Sequence, residues 1–231
     1  FWRDVRALFP LARDLTYFNT GGLGPAATPV LAVAADTTRR LQERAEHGHA
    51  LLAGARTTIA QFLGAESDEI AFVRNATEGN AMVAAGLKLT AGDEVIFDSH
   101  AHPGGSFAWL HQQTLRGIVV KVFEPATTDP AENVARIAAL MTPRTRAVQV
   151  SHVTAPTGIL LPVADMARLC RERGVWFHAV RRIFSTPAIN ASHSAGELNR
   201  WVDTRSAFRP CSVTGRQRIL CSPSSRLNNR S

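Results

Sequence analysis

Apolar and polar positions change period at regular intervals up to about residue 180 and lose that rhythm beyond it. Stretches with apolar residues three and four apart alternate with short runs rich in Val, Ile and Phe, the signatures of helix and strand respectively. Thr28 to Leu41 and Glu43 to Leu63 predict two helices, the second stopped by Gly64. Ile70–Val73 predicts a strand, Ala81 to Leu87 a helix, and Gly92-Asp93 introduces a strand over Glu94–Asp98. A helix from Phe107 to Leu115, stopped by Gly117, leads to a strand at Ile118–Phe123. Pro130 opens a helix to about Met141, and Arg146–Val150 predicts the next strand. Pro162, at a first helical turn where its missing amide costs nothing, starts a helix through Met166 and Cys170 to Gly174. Val175–Phe177 then begins another strand.

Short strands alternating with helices imply crossover units, and so an α/β fold with a mostly parallel sheet. Such sheets gather ligands beyond the carboxyl ends of their strands, where this pattern puts Thr77, His100 and Thr154. Residues 181–231 break the rhythm: they are rich in Arg, Ser and Asn, with isolated prolines and only brief apolar pairs such as Ile219-Leu220. A segment of that composition is expected to be irregular, because it buries too little surface to offset its ordering entropy.

Charge sharpens the same boundary. The net charge is +7, yet residues 1–180 carry 17 basic and 17 acidic side chains, whereas residues 181–231 carry nine arginines against Glu197 and Asp203. A nucleic-acid-binding domain would show a basic face within its patterned region, so the distribution argues against nucleic acid as a partner. Three cysteines without metal spacing suggest reduced thiols, with Cys170 in core packing. No apolar run reaches the ~18 residues of a membrane span and no export signal is visible at the Phe1 end, so a cytoplasmic location without a membrane partner is expected.

Local chemistry is sparse. Asn19-Thr20-Gly21-Gly22-Leu23-Gly24-Pro25 permits tight turns but lacks the Lys-Ser/Thr of a nucleotide-phosphate loop. Asn75-Ala76-Thr77-Glu78-Gly79 joins a strand to a helix. It reads either as a phosphate cradle of free amides with the Thr77 hydroxyl, or as an ordinary helix start capped by Thr77. His100, His102 and His111 have no neighbouring carboxylate or thiolate at metal-site spacing, so no metal is expected; a ring just past a strand end can instead stack on a flat ligand. Ser151-His152 has no assigned acid partner, which leaves a hydrolase triad unsupported. Asp93, Asp98 and Asp165 read as turn or cap residues, and Trp109 and Trp176 as packing.

Taken in order, five segments resemble class V aminotransferase-like enzymes, which use pyridoxal phosphate. They are Tyr17 to Pro25, Ile70 to Gly79, Gly92 to Ile96, Ser151 to Gly158, and Leu161-Pro162-Val163. The likeness spans about residues 5–180 and is nearest in flavour to isopenicillin N epimerase-like proteins and cysteine desulfurases. It implies an incomplete large domain of a fold-type I pyridoxal-phosphate enzyme, with residues 1–27 on the substrate side, 28–180 binding cofactor, and 181–231 as the irregular tail. The resemblance also implies roles. Ala76, Thr77 and Glu78 would hold the cofactor phosphate, and His102, with His100 the alternative, would stack on the pyridine ring. Thr154 would border that ring, and Asn19, Gly21 and Gly22 the substrate pocket. Intact relatives would bind an amino acid as an aldimine and build the site across a homodimer.

Two departures set the expectation for activity. The family follows the strand beginning at Val175 with Asp-Gly-Ala, whose Asp pairs with the pyridine nitrogen and keeps the ring an electron sink; here Val180-Arg181-Arg182 stand there. The family then supplies a Schiff-base lysine, but the only lysines in this chain are Lys88 and Lys121. Arginine cannot substitute, because it stays protonated. The chain is therefore expected to be inactive in the usual chemistry, with no catalytic residue assigned. The simultaneous loss of rhythm, charge balance and motif points to a reading-frame shift or gene fragment. The alternative is a non-catalytic binding or regulatory protein that uses the basic tail.

Overall fold

The computed structural model describes residues 1–20 and 22–180. Gly21 and the whole of residues 181–231, with the expectations attached to them, lie outside the described residues. The chain divides into two compact units, Phe1–Ile59 and a second beginning at Ala60.

In the first unit, α1 spans Trp2–Ala7 and α2 spans Thr28–Arg44, with Pro29 in its first turn where no amide is needed. α3, His49–Leu63, runs across the boundary between the units. The predicted second helix starts six residues late. Ala45 adopts a left-handed backbone (φ 52°) and Gly48 follows at φ 70°, so the chain turns between α2 and α3 instead of continuing. Gly48 lies against Leu41, where an added Cβ would meet Cδ1 at 2.9 Å. Neither α1 nor α2 buries a residue, and Val30, Leu31 and Val33 are exposed.

The second unit holds the sheet. Among the described residues its strands are β1 (Glu94–Asp98), β2 (Val119–Phe123), β3 (Thr145–Ser151) and β4 (Trp176–Val180). Their order is β2-β1-β3-β4 and every pairing is parallel. Helix α4 (Ala76–Gly86) precedes β1, and α5 (Pro103–Arg116), α6 (Glu132–Leu140) and α7 (Val163–Glu172) supply the crossovers. Alternate side chains of a strand face opposite ways, and the two cores follow that alternation. Val95, Phe97 and Ala147 pack with Ala84 of α4 and Trp109 of α5 on one face. Ile96, Val148 and Val150 pack with Ile137 of α6 and Met166 and Cys170 of α7 on the other. Burial pushes the Cys170 thiol up to about 12, which makes it an inert core group.

The predicted α/β class and parallel sheet hold, with two further corrections to the elements. Ile70–Val73 has extended backbone at Ile70 (φ −101°, ψ 123°) but is no strand of the described sheet. Four apolar residues in a row signal extension without naming a ladder partner. Pro162 stands just before α7 as its cap rather than within its first turn. Asp98 ends β1 and opens a turn, its carbonyl accepting the Ala101 amide at 3.0 Å, while its fully buried Oδ2 also accepts the Ser151 amide at 2.9 Å.

Strand order places the site. β1 sends α5 to one face of the sheet, while its neighbour β3 sends α7 to the other. The chain therefore diverges between the carboxyl ends of β1 and β3, the switch point at which open parallel sheets bind ligands.

Candidate functional site

Two helix amino termini meet at this end of the sheet. α4 begins after Asn75, whose Oδ1 accepts the Glu78 amide at 2.9 Å. This corrects the expectation that Thr77 caps the helix. Asn75 is the residue with β-region backbone, the conformation a capping side chain needs, and Thr77 already lies inside α4. Its hydroxyl is thereby left to face α5. Glu78 turns back to Arg74, bonding both its amide and its guanidinium, and the Arg74 contacts hold the carboxyl below its usual range.

α5 begins after His102, whose Nδ1 accepts the Gly104 amide at 3.0 Å. Asn80 Nδ2 of α4 donates to the Gly104 carbonyl at 3.1 Å. A Cβ on Gly104 would stand 2.3 Å from Thr77 Oγ1 and 3.3 Å from Thr77 Cβ, so glycine is what lets the two helix starts touch. Gly104→Ala is expected to cost about 1–3 kcal/mol by overpacking, and adding Thr77→Ala should recover part of it. Chemical denaturation of the single and double variants measures both.

Across the switch point runs a chain of side chains that joins the predicted His100 and Thr154 to Ser99, Glu124 and Thr157, which sequence reasoning did not single out. His100 Nε2 meets Glu124 Oε1 at 2.9 Å, and His100 Nδ1 meets Thr157 Oγ1 at 3.1 Å. Thr157 Oγ1 lies 2.7 Å from Thr154 Oγ1, which in turn accepts the Ile159 amide at 2.9 Å. Ser99 Oγ donates to the second oxygen of Glu124. The Ser99 bond, with His100 and Arg136 behind it, holds the Glu124 carboxyl below its ordinary value. These partners are 24 and 57 residues apart in the chain, and no local spacing announces them.

The predicted site residues therefore divide. Ala76, Thr77 and Glu78 at the start of α4 and His102 at the start of α5 come together through the Thr77–Gly104 approach. Thr154 stands buried three residues past the end of β3, joined to His100 through Thr157. Asn19 and Gly22 belong to the first unit, where Asn19 Oδ1 accepts the Gly22 amide at 3.1 Å. The Tyr17 hydroxyl closes that turn onto the carbonyls of Asn19 and Leu23, both at 2.8 Å. His111 is exposed on α5, and among the described residues no group of three His, Cys, Asp or Glu side chains could hold a metal ion.

The last described residue of β4, Val180, carries a hydrocarbon side chain. Val180 pairs with Ser151 at the carboxyl end of the sheet, and His178 sits two residues earlier with its side chain on the same side of the strand. Burial pushes the His178 imidazole down to about 4, so it is neutral, and its Nδ1 has no partner among the described residues. Both lysines lie elsewhere. Lys121 Nζ bonds Glu94 Oε2 at 2.8 Å and the Leu140 carbonyl at 3.0 Å, toward the amino end of β1. Lys88 is exposed in the segment between α4 and β1, where Arg116 at the far end of α5 holds the Leu87 carbonyl at 2.8 Å.

A parallel sheet covered by helices on both faces, with two helix amino termini at its switch point, is an open α/β architecture. Residues 29–180 match the aminotransferase class-V family, and the chain belongs to it. A probable cysteine desulfurase of Methanothermobacter thermautotrophicus is 29% identical over 213 residues, covering 87% of this chain and 49% of that protein. The isopenicillin N epimerase of Streptomyces clavuligerus is 28% identical over 207 residues, covering 86% and 49%. A solved lysine-to-alanine mutant of C-DES, with glycine covalently linked to its PLP cofactor, superposes with a TM-score of 0.67 at 29% identity, covering 83% of this chain and 50% of that one. The chain thus spans about half the length of the curated relatives it matches. The family match ends at Val180, although the alignment with the archaeal relative is long enough to run past it. Among the described residues no helix is long and apolar enough to cross a membrane.

Proposed function

We infer that this chain is a class V aminotransferase-like protein that holds a phosphorylated pyridine ligand without covalent attachment and does not carry out lysine-dependent amino-acid chemistry. Part of the structure fits pyridoxal phosphate. The Thr77 hydroxyl and the amino terminus of α4 suit a phosphate, and His102 stands at the adjoining helix start. The part that would make the group reactive does not fit, because Val180 cannot pair with a ring nitrogen as a carboxylate would.

The observation that carries this reading is the position of the lysines. Lys121 is tied to Glu94, Lys88 lies beyond the carboxyl end of α4, and no other lysine exists in the 231 residues. Without an amine at the strand ends, residues 28–180 can supply recognition but no covalent anchor. The solved C-DES mutant agrees with this picture, since that relative carries its cofactor linked to glycine with one lysine replaced. An amino acid is accordingly the expected co-ligand. The exposed Val30, Leu31 and Val33 on α2 support pairing of two copies, as expected of the family.

Incubating the purified chain with pyridoxal phosphate and reducing with borohydride tests the proposal. The expected result is saturable binding by ligand absorbance, lost in Thr77→Ala, with no adduct mapping to a lysine at the site. A stoichiometric adduct on Lys88 or Lys121 accompanied by amino-acid turnover would overturn it.

We read the change at Val180 as a shift of reading frame or a gene fragment. The second reading, a divergent binding protein that uses its arginine-rich tail, is favoured by the alignment that continues past Val180. The coding DNA separates them: an Asp-Gly-Ala strand end and a later lysine in another frame would establish the shift.

A further inference from the structure

The geometry points to a cofactor-independent activity at the same switch point: we propose that Thr157, His100 and Glu124 form an acyl-transfer triad in which the Thr157 hydroxyl attacks small activated esters. A nucleophile within hydrogen-bond reach of a base, itself oriented by a third group, is recognised by geometry rather than by sequence position. Here the two contacts are 3.1 Å and 2.9 Å, and the residues come from the three loops that follow β3, β1 and β2.

The hydrogen bonds run in one direction. Ionised Glu124 can only accept, so His100 Nε2 carries the proton and Nδ1 is the acceptor facing Thr157. Thr154 Oγ1 already accepts the Ile159 amide and can donate to Thr157, which leaves the Thr157 proton directed at His100. Ser99 and Arg136 fix the acid: Ser99 bonds its carboxylate, and Arg136 bonds the Glu124 carbonyl. His100 is shielded, with 14% of its side chain exposed, whereas Thr157 opens to solvent on a tight turn closed by the Gly158 amide on the Thr154 carbonyl at 3.0 Å. The Thr157 amide donates to no protein group among the described residues and is free to meet a developing oxyanion.

The reaction balances without cofactor or oxidant. Thr157 Oγ bonds the acyl carbon while its proton passes to His100 Nδ1. The ester C–O bond breaks, and the departing alkoxide or phenolate takes that proton. Water then attacks the acyl-threonine, returns a proton through His100, and releases the carboxylic acid and free Thr157.

The test uses the full chain without pyridoxal phosphate and 4-nitrophenyl acetate as substrate. A burst of nitrophenolate with acetyl mapped to Thr157 by peptide mass spectrometry is expected. Thr157→Val should abolish both. His100→Gln should slow the burst by on the order of 10²-fold, the usual contribution of a general base, and Glu124→Gln should slow it less. Exposed His47, His49, His102 and His111 supply only a background that leaves Thr157 unlabelled. The label is mapped first on the unaltered chain, so a variant that fails to fold cannot blur the outcome. Acetyl found only at other residues, or a burst that survives Thr157→Val in a variant with native circular dichroism, would overturn the triad.

Discussion

Replacing Lys121 with methionine is expected to lower stability by about 3 kcal/mol, because it leaves a buried carboxylate without its principal cation. Glu94 has 2% of its side chain exposed and lies at the amino end of β1. Its Oε2 receives Lys121 Nζ at 2.8 Å, Thr142 Oγ1 at 2.6 Å and Thr145 Oγ1 at 3.1 Å. Arg144 reaches Oε1 at 3.3 Å from a mostly exposed position. The surviving hydroxyls and Arg144 keep the loss near the lower end of the ~3–5 kcal/mol typical of breaking a buried pair. Adding Glu94→Gln to Lys121→Met should recover part of it, since an uncharged amide is cheaper to bury than an orphaned carboxylate. Urea denaturation of the two variants decides the point, and equal stability of Lys121→Met and the parent chain would refute it.

The same cluster sets a pH dependence. Burial alone would raise the Glu94 pKa, but the bonds from Lys121, Thr142 and Thr145 outweigh it and bring the value from 4.5 down to about 2. The unfolded chain therefore takes up the proton first as pH falls. The Glu94 contribution is complete above about pH 4.5 and is lost progressively toward pH 2. In Lys121→Met this acid limb of the stability profile should shrink.

Trp109→Ala is the second large effect, expected to destabilise by about 3–5 kcal/mol as a buried aromatic is removed from a packed core. Trp109 is fully buried among Ala84, Phe97, Ile118 and Ala147. Its Nε1 also donates to Gln149 Oε1 at 2.8 Å, inside the same face of the sheet. Trp109→Phe separates packing from polarity: most of the ring remains, and the unpaired Gln149 oxygen should cost about 1–3 kcal/mol. Gln149→Leu in that background should restore part of the loss. The consequence reaches the site, because a Cβ on Gly105 in the first turn of α5 would stand 2.9 Å from Gln149 Nε2. A shift of Gln149 therefore disturbs the helix start that carries His102, and weaker pyridoxal phosphate binding should accompany Trp109→Ala.

Some of the site was written plainly in the chain. The Asn75–Gly79 junction and His102 were visible as motifs because their roles depend on a strand handing over to a helix, which is a local event. Thr77 illustrates the limit. A threonine before an apolar run reads as a cap, yet Asn75 takes that role through its backbone conformation, and only the packing of α4 on α5 shows what the Thr77 hydroxyl faces. Glu124 and Thr157 were invisible. Each is an ordinary loop residue until the β2-β1-β3-β4 order brings their loops to His100.

The sequence by itself determined the alternation of helix and strand, the stops at Gly64, Gly117 and Gly174, the family likeness and the scarcity of lysine. Each is a matter of composition or of a period a few residues long, so no folding is required to read it. The tertiary structure alone decided which strands became neighbours, which face buried Trp109, and that Lys121 serves Glu94 rather than the ligand end. Those outcomes join residues tens of positions apart, and they follow from how the crossovers close around two cores rather than from any local preference of the chain.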